Sequence, residues 1–181
     1  MLKKETLSYY QAWIDLYDGA AQEAIKRLPS EPWSTSDPQG VLLQAQIYGL
    51  AGQQQLEKSC YESAMKILKA RIQQRPEEAG YHSSLGIAYA GLGRKQDAIR
   101  EGKAGVDLMP IGKDALNGFS QVEELARIYA MVGEYDESIR LLEYLMSIPG
   151  DLGIGALRLD PAWKPLRDKP RFQTLLLKYG G

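Results

Sequence analysis

The chain has 181 residues, 44% of them hydrophobic and 25% charged, a balance that supports one packed domain and excludes wholesale disorder. Its 22 Lys and Arg nearly cancel its 23 Asp and Glu, so a net charge of -1 gives no electrostatic case for nucleic acid or an anionic membrane surface. One Cys and one His exclude a disulfide framework and the usual zinc sites, and the apolar runs are too short to span a bilayer.

Taken in chain order, residues 1–20 lack the continuous apolar core of a signal peptide. KKETLSYYQAWIDLY instead reads as a helix, Asp18-Gly19 as its break, and AAQEAIKRL as a return helix, so residues 1–34 form a shortened helical hairpin. PSEPWSTSDPQG reads as a proline-rich linker, with Ser36 or Asp37 as the N-cap of the next helix and Pro38 at its first position. Residues 35–149 then hold three further hairpins. Each has a small residue, a Tyr and a Gly at one spacing: Ala45–Tyr48–Gly52, Gly86–Tyr89–Gly93 and Ala126–Tyr129–Gly133. Each Gly is followed by a second helical stretch with a small residue (Ala64, Ala98, Ser138) and a terminal proline (Pro76, Pro110, Pro149).

These residue types have physical reasons. The small residue lets two helices approach, and the Tyr one turn on fills the space beside the contact. The Gly ends the first helix in a left-handed conformation, and the Pro stops the second. One hairpin cannot bury both faces, so neighbours must stack. Pro76 to Pro110 is 34 residues, Gly52 to Gly93 is 41 and Gly93 to Gly133 is 40. The first excess predicts one long helix over QQQLEKSCYESAMKILKARIQQR, because seven residues are about two turns and preserve the buried face. The second predicts a loop over PIGKDALNG. Residues 150–181 break the pattern as a proline-rich tail, in which PRFQTLLLKY, with Pro170 at its start, predicts a capping helix.

The repeated residues resemble the tetratricopeptide repeat, a 34-residue unit with W-x2-L-G-x2-Y in its first helix and A-x3-F-x2-A in its second. Residues 79–112 match best: Leu85-Gly86, Tyr89, Ala98 and Pro110 fit, while His82 stands for the Trp and Gly102 and Gly105 for the Phe and the last Ala. Residues 35–179 also look like the helical-repeat regions that follow adenylate-cyclase-like, Ser/Thr-kinase or winged-helix effector domains in large bacterial proteins. The resemblance implies an all-α, right-handed superhelix of about four hairpins with a C-terminal capping segment, in one continuous domain. The chain is then a free-standing repeat protein or a piece of a larger one.

Candidate chemistry is sparse. Gly91-Leu92-Gly93, Gly153-Ile154-Gly155 and Gly112-Lys113-Asp114 fail the phosphate-loop patterns and follow no strand, so they read as turns and caps. His82 sits at a packing position with no nucleophile or acid placed beside it by a recognised motif. Cys60 reads as an inert helical Cys. The family's groove positions, carried over by register, fall on Tyr9, Trp13 and Tyr17 of the first hairpin and on Gln39, Leu42 and Gln46 of the second. In the third and fourth they fall on Ser83, Ile87, Glu123, Arg127 and Met131. The stripe Tyr9, Trp13, Tyr17 has two readings: packing on the next hairpin, or large anchors presented to a partner. With Arg127 as the single cation among these positions, a clamp for a C-terminal carboxylate is not expected.

The expected function is non-catalytic binding of a protein or peptide, as scaffold or sensor in a bacterial signalling protein, with no cofactor, no metal and no nucleic acid. Homodimerisation is the alternative. The expected compartment is the cytoplasm, or the periplasm if the chain is cut from a membrane-anchored protein.

Overall fold

The computed structural model describes residues 4–28 and 37–180; most of the proline-rich linker, including Ser36, lies outside them. Among the described residues the elements are all helical. They are α1 (Lys4–Tyr17), α2 (Ala21–Arg27), α3 (Pro38–Leu50), α4 (Gln54–Gln74), α5 (Ala79–Gly91), α6 (Lys95–Leu108), α7 (Ala115–Met131) and α8 (Tyr135–Ser147). The tail holds α9 (Ile154–Leu159), a 3-10 turn over Pro161–Leu166, and α10 (Pro170–Tyr179). Consecutive helices pair as hairpins, and α5 and α7 also pack on each other.

Each hairpin turns on a glycine. Gly19, Gly52, Gly93 and Gly133 have φ of 73°, 77°, 72° and 82°, a left-handed conformation that a side chain disfavours. The amide after each glycine donates back to a carbonyl inside the first helix, and in the last three hairpins that carbonyl belongs to the repeat Tyr (Tyr48, Tyr89, Tyr129). Asp37 caps α3, its carboxylate accepting from the Gln39 amide at 3.1 Å, with Pro38 in the first turn.

The small residues mark the close approaches. Ala64, Ala98 and Ser138 are fully buried, and the Ser138 hydroxyl donates to the Ala126 carbonyl at 2.8 Å. A Cβ on Gly105 would lie 3.2 Å from the Ala79 carbonyl oxygen of α5, and one on Gly102 2.6 Å from Ile128 Cδ1 of α7. The two glycines that depart from the repeat pattern in α6 therefore let it lie against α5 and α7, which offsets their poor helix propensity.

α4 is a single helix of 21 residues against 14 in α6. The loop expected over PIGKDALNG is shorter than that. Asp114 accepts from the Leu116 and Asn117 amides at 3.1 and 3.0 Å and starts α7 at Ala115, so part of the excess is an added turn of helix. Gly118 permits this, because a Cβ there would meet the Ile111 backbone at 2.5 Å.

The tail is more helical than its prolines imply. Asp160 caps the 3-10 turn, accepting from the Ala162 amide at 2.9 Å. Trp163, Leu166, Phe172 and Leu175 are buried in one cluster with Phe119, Val122, Leu125, Ile139, Leu142 and Leu145 of α7 and α8. They close the exposed end of the repeat array, which otherwise presents an apolar face to water.

Candidate functional site

One face of the array is lined by first helices. A cavity of about 380 Å³ is bounded by Tyr10, Trp13 and Tyr17 of α1, Gln39, Leu42, Leu43 and Gln46 of α3, Ser84 and Ile87 of α5, and Glu124 and Arg127 of α7. All four first helices contribute to it, and no second helix does. A larger cavity of about 620 Å³ shares Trp13 and Gln46 with the first, so the two adjoin. Leu16, Leu50, Glu57, Tyr61 and Met131 help to line it, and its far wall is the tail segment from Asp160 to Asp168.

Most of the positions expected from register meet here. Trp13, Tyr17, Gln39, Leu42, Gln46, Ile87 and Arg127 line the first cavity, and Met131 lines the second. The side chain of Tyr9 lies outside the described residues. Two positions are displaced by one residue. Ser83 is buried and donates to Gln121 Oε1 at 2.6 Å, while Ser84 faces the cavity and accepts from Gln39 Nε2 at 2.8 Å. Glu123 is absent from the cavity lining and Glu124 takes its place. One residue along a helix turns the side chain by about 100°, so a register carried from a degenerate repeat misses by a whole face.

The aromatic stripe divides between the two readings of it. Leu16 and Ala12 of α1 pack with Ala24, Leu43 and Ile47 in the core. Trp13 packs beside them but keeps part of its surface, and its ring centroid lies 6.1 Å from that of Tyr17. Tyr10 is 56% exposed.

The electrostatic centre is Arg127. Its guanidinium lies 2.9 Å from Glu123 Oε1 and 2.7 Å from Asp160 Oδ2, and 5.0 Å from the centroid of the Trp163 ring. Asp160 is only 2% exposed and also accepts a long hydrogen bond, 3.4 Å, from the Tyr17 hydroxyl. Burial disfavours the charge on Arg127, but the carboxylates of Asp160, Glu124 and Glu123 outweigh it and raise its pKa. Glu124 is pushed up by burial, against the pull of Arg127, with Glu123 and Asp160 adding repulsion. Tyr17 is likewise raised by burial and by Asp160. Three carboxylates thus surround one cation. Asp160 had no signal in the sequence beyond a helix-capping Asp-Pro pair; its partner is 33 positions away and is reached only because the tail folds back.

The remaining candidates are structural. His82 bridges α5 to its surroundings through Glu101 Oε2 and the Pro76 carbonyl, both at 2.9 Å. Burial raises the pKa of the Cys60 thiol, which favours its protonated form. Among the described residues no group of three His, Cys, Asp or Glu is placed to hold a metal, and no helix is long and apolar enough to cross a membrane.

No protein-family model matches the chain, and neither does any curated protein sequence. Among solved structures, a kinesin light chain-like protein of Podosopora anserina with nearly identical TPR-like repeats aligns at a TM-score of 0.50 and 20% identity, covering 99% of this chain and 95% of that one. The fold is a tetratricopeptide-repeat-like superhelix. A single-substitution variant of the same protein aligns at 0.49 and 20% identity, with the same coverage. MamA of Desulfovibrio magneticus RS-1, from residue 41 onward, aligns at 0.41 and 18% identity over 81% of this chain and 96% of that one.

Proposed function

We propose that this chain is a non-catalytic interaction module that holds a segment of a partner protein along the groove lined by α1, α3, α5 and α7. The observation that carries the reading is the pair of adjoining cavities that meet at the half-buried Trp13. Large aromatics with a polar rim are the usual anchors of an interface. The raised pKa of the Cys60 thiol and the two hydrogen bonds that tie down His82 agree with a scaffold rather than an enzyme. The likeness of residues 35–179 to helical-repeat regions beside effector domains extends the reading to a scaffold or sensor of a bacterial signalling protein, acting in the cytoplasm.

Site-specific photo-crosslinking in the native host tests it. A photoreactive residue in place of Gln46 should give a discrete adduct that disappears when Trp13→Ala is added. The same residue in place of Leu177, which is 77% exposed on α10, should not. Equal adducts from both positions would refute the groove as the binding surface.

A second reading, self-association, draws on Tyr10 and Ile14, which are 56% and 59% exposed one helical turn apart on α1. Sedimentation velocity across a concentration series separates it from the first: a dimer lost in Ile14→Ser supports it.

A further inference from the structure

We propose that the occupant of this groove is a protein segment carrying a lysine or arginine side chain, which enters the smaller cavity beside Trp13 and Tyr17 and pairs with Glu124. The proposal rests on the groove reading above and adds the chemistry of what the groove selects.

Charge gives the first argument. Among the described residues Arg127 is the only cation lining the smaller cavity, and it is already used from within the chain. Asp160 holds it at 2.7 Å and Glu123 at 2.9 Å, with the Trp163 ring beside it. Asp160 is fixed in turn by its cap on the Ala162 amide and by the buried tail that follows. An incoming carboxylate would have to displace a buried ion pair, which is strongly unfavourable. The tail thus occupies the one cation that lines the smaller cavity among the described residues; Lys164 of the tail is exposed on the wall of the adjoining cavity, outside it.

Within the smaller cavity the charge left over is negative. Glu124 lines the cavity beside Arg127, whose charge pulls on it but is held at 2.7 and 2.9 Å by Asp160 and Glu123. Glu57, on the wall of the adjoining cavity, is partly buried. Burial raises the pKa of both, the direction expected of carboxylates that lack enough positive charge nearby. One guanidinium shared among Glu123, Glu124 and Asp160 leaves the cavity short of positive charge, and a bound ammonium or guanidinium would supply what is missing.

The walls suit the same group. Aromatic rings attract cations through their faces, and Trp is the strongest of them. The long aliphatic stem of a Lys or Arg can lie along Leu42 and Ile87 while its charged end reaches Glu124. The adjoining cavity, walled by Leu16, Leu50 and Met131, then takes an apolar neighbour in the bound segment.

The test is selection from a random library of capped hexapeptides, with the full chain as bait and Trp13→Ala as counter-bait. The expected result is enrichment of Lys or Arg at one fixed position beside an apolar residue. The best peptide should bind Glu124→Gln at least about tenfold more weakly, as expected for loss of a charge-assisted hydrogen bond. Glu124→Asp, which keeps the charge, should retain the basic preference. Matching far-UV circular dichroism spectra below each melting transition establish that the variants are folded. Enrichment of acidic residues or of free C-termini would overturn the cation inference and leave the groove reading standing, as would undiminished binding to Glu124→Gln. A library yielding no peptide that depends on Trp13 would overturn both.

Discussion

Replacing Asp160 by Ala removes one partner of the most buried ion pair in the groove. Asp160 is 2% exposed, its Oδ2 lies 2.7 Å from Arg127, and its Oδ1 accepts the Ala162 amide at 2.9 Å. Breaking a buried pair from one side costs about 3–5 kcal/mol, because the remaining charge is stranded. Arg127 keeps Glu123 at 2.9 Å, which puts the loss near the lower end, about 3 kcal/mol. Loss of the cap on the 3-10 turn adds about 1 kcal/mol. The expected total is about 4 kcal/mol, or a melting temperature lowered by about 10 °C for a domain of this length. Asp160→Asn still accepts the Ala162 amide and should lose only the ion-pair share. Thermal and urea melts followed by far-UV circular dichroism measure each variant. Arg127→Met combined with Asp160→Ala should lose clearly less than the two single changes added together, since no charge is left stranded. Additive losses, or an Asp160→Ala effect below about 1 kcal/mol, would refute the placement of the tail against α7.

Deleting residues 158–181 uncovers Leu142 and Leu145 and removes Trp163, Leu166, Phe172 and Leu175, so stability should fall by several kcal/mol and light scattering should report aggregation. Trp13→Ala should cost less than the roughly 3–5 kcal/mol of a core aromatic, because Trp13 keeps part of its surface in water; a loss in that range would return the stripe to the core. A methyl group on Gly105 would overlap the Ser83 hydroxyl and approach the Ala79 carbonyl at 3.2 Å, so Gly105→Ala should destabilise by about 1–3 kcal/mol. Gly80→Ala, with open space around it, should stabilise by up to about 1 kcal/mol in the same melts. Glu124 has a raised pKa in the folded state, so its contribution is lost as pH rises from the unfolded value through the folded one. Glu124→Gln should therefore melt higher than wild type at pH 7, and the difference should vanish below about pH 4.5.

The repeat skeleton was legible because its signals are local. A glycine that must take a left-handed turn, a small residue at a helix crossing and a proline at a helix end each act within a few residues. Gly19, Gly52, Gly93 and Gly133 all turn as their spacing requires. The start of α7 was misjudged because Gly, Asn and Asp within PIGKDALNG read as a loop by composition. Asp114 in fact caps a helix, and Gly118 is spent on a close approach. The groove was legible by register to within one residue, which brought Arg127 and Trp13 to the cavity but exchanged Ser83 for Ser84 and Glu123 for Glu124. The partner of Arg127 was not legible at all. Asp160 meets it through tertiary folding of a tail whose prolines mark local punctuation only.

The concave surface between the first helices is proposed as the place where a partner binds. Amide chemical-shift mapping of isotopically labelled protein, titrated with the best peptide from the hexapeptide selection, tests it most directly. Saturating shifts should be confined to the groove-facing residues of α1, α3, α5 and α7 and to Asp160–Asp168, with Trp13, Gln46 and Glu124 among the largest. Shifts centred on the exposed faces of α4, α6 or α8, with the residues around Trp13 unmoved, would contradict it.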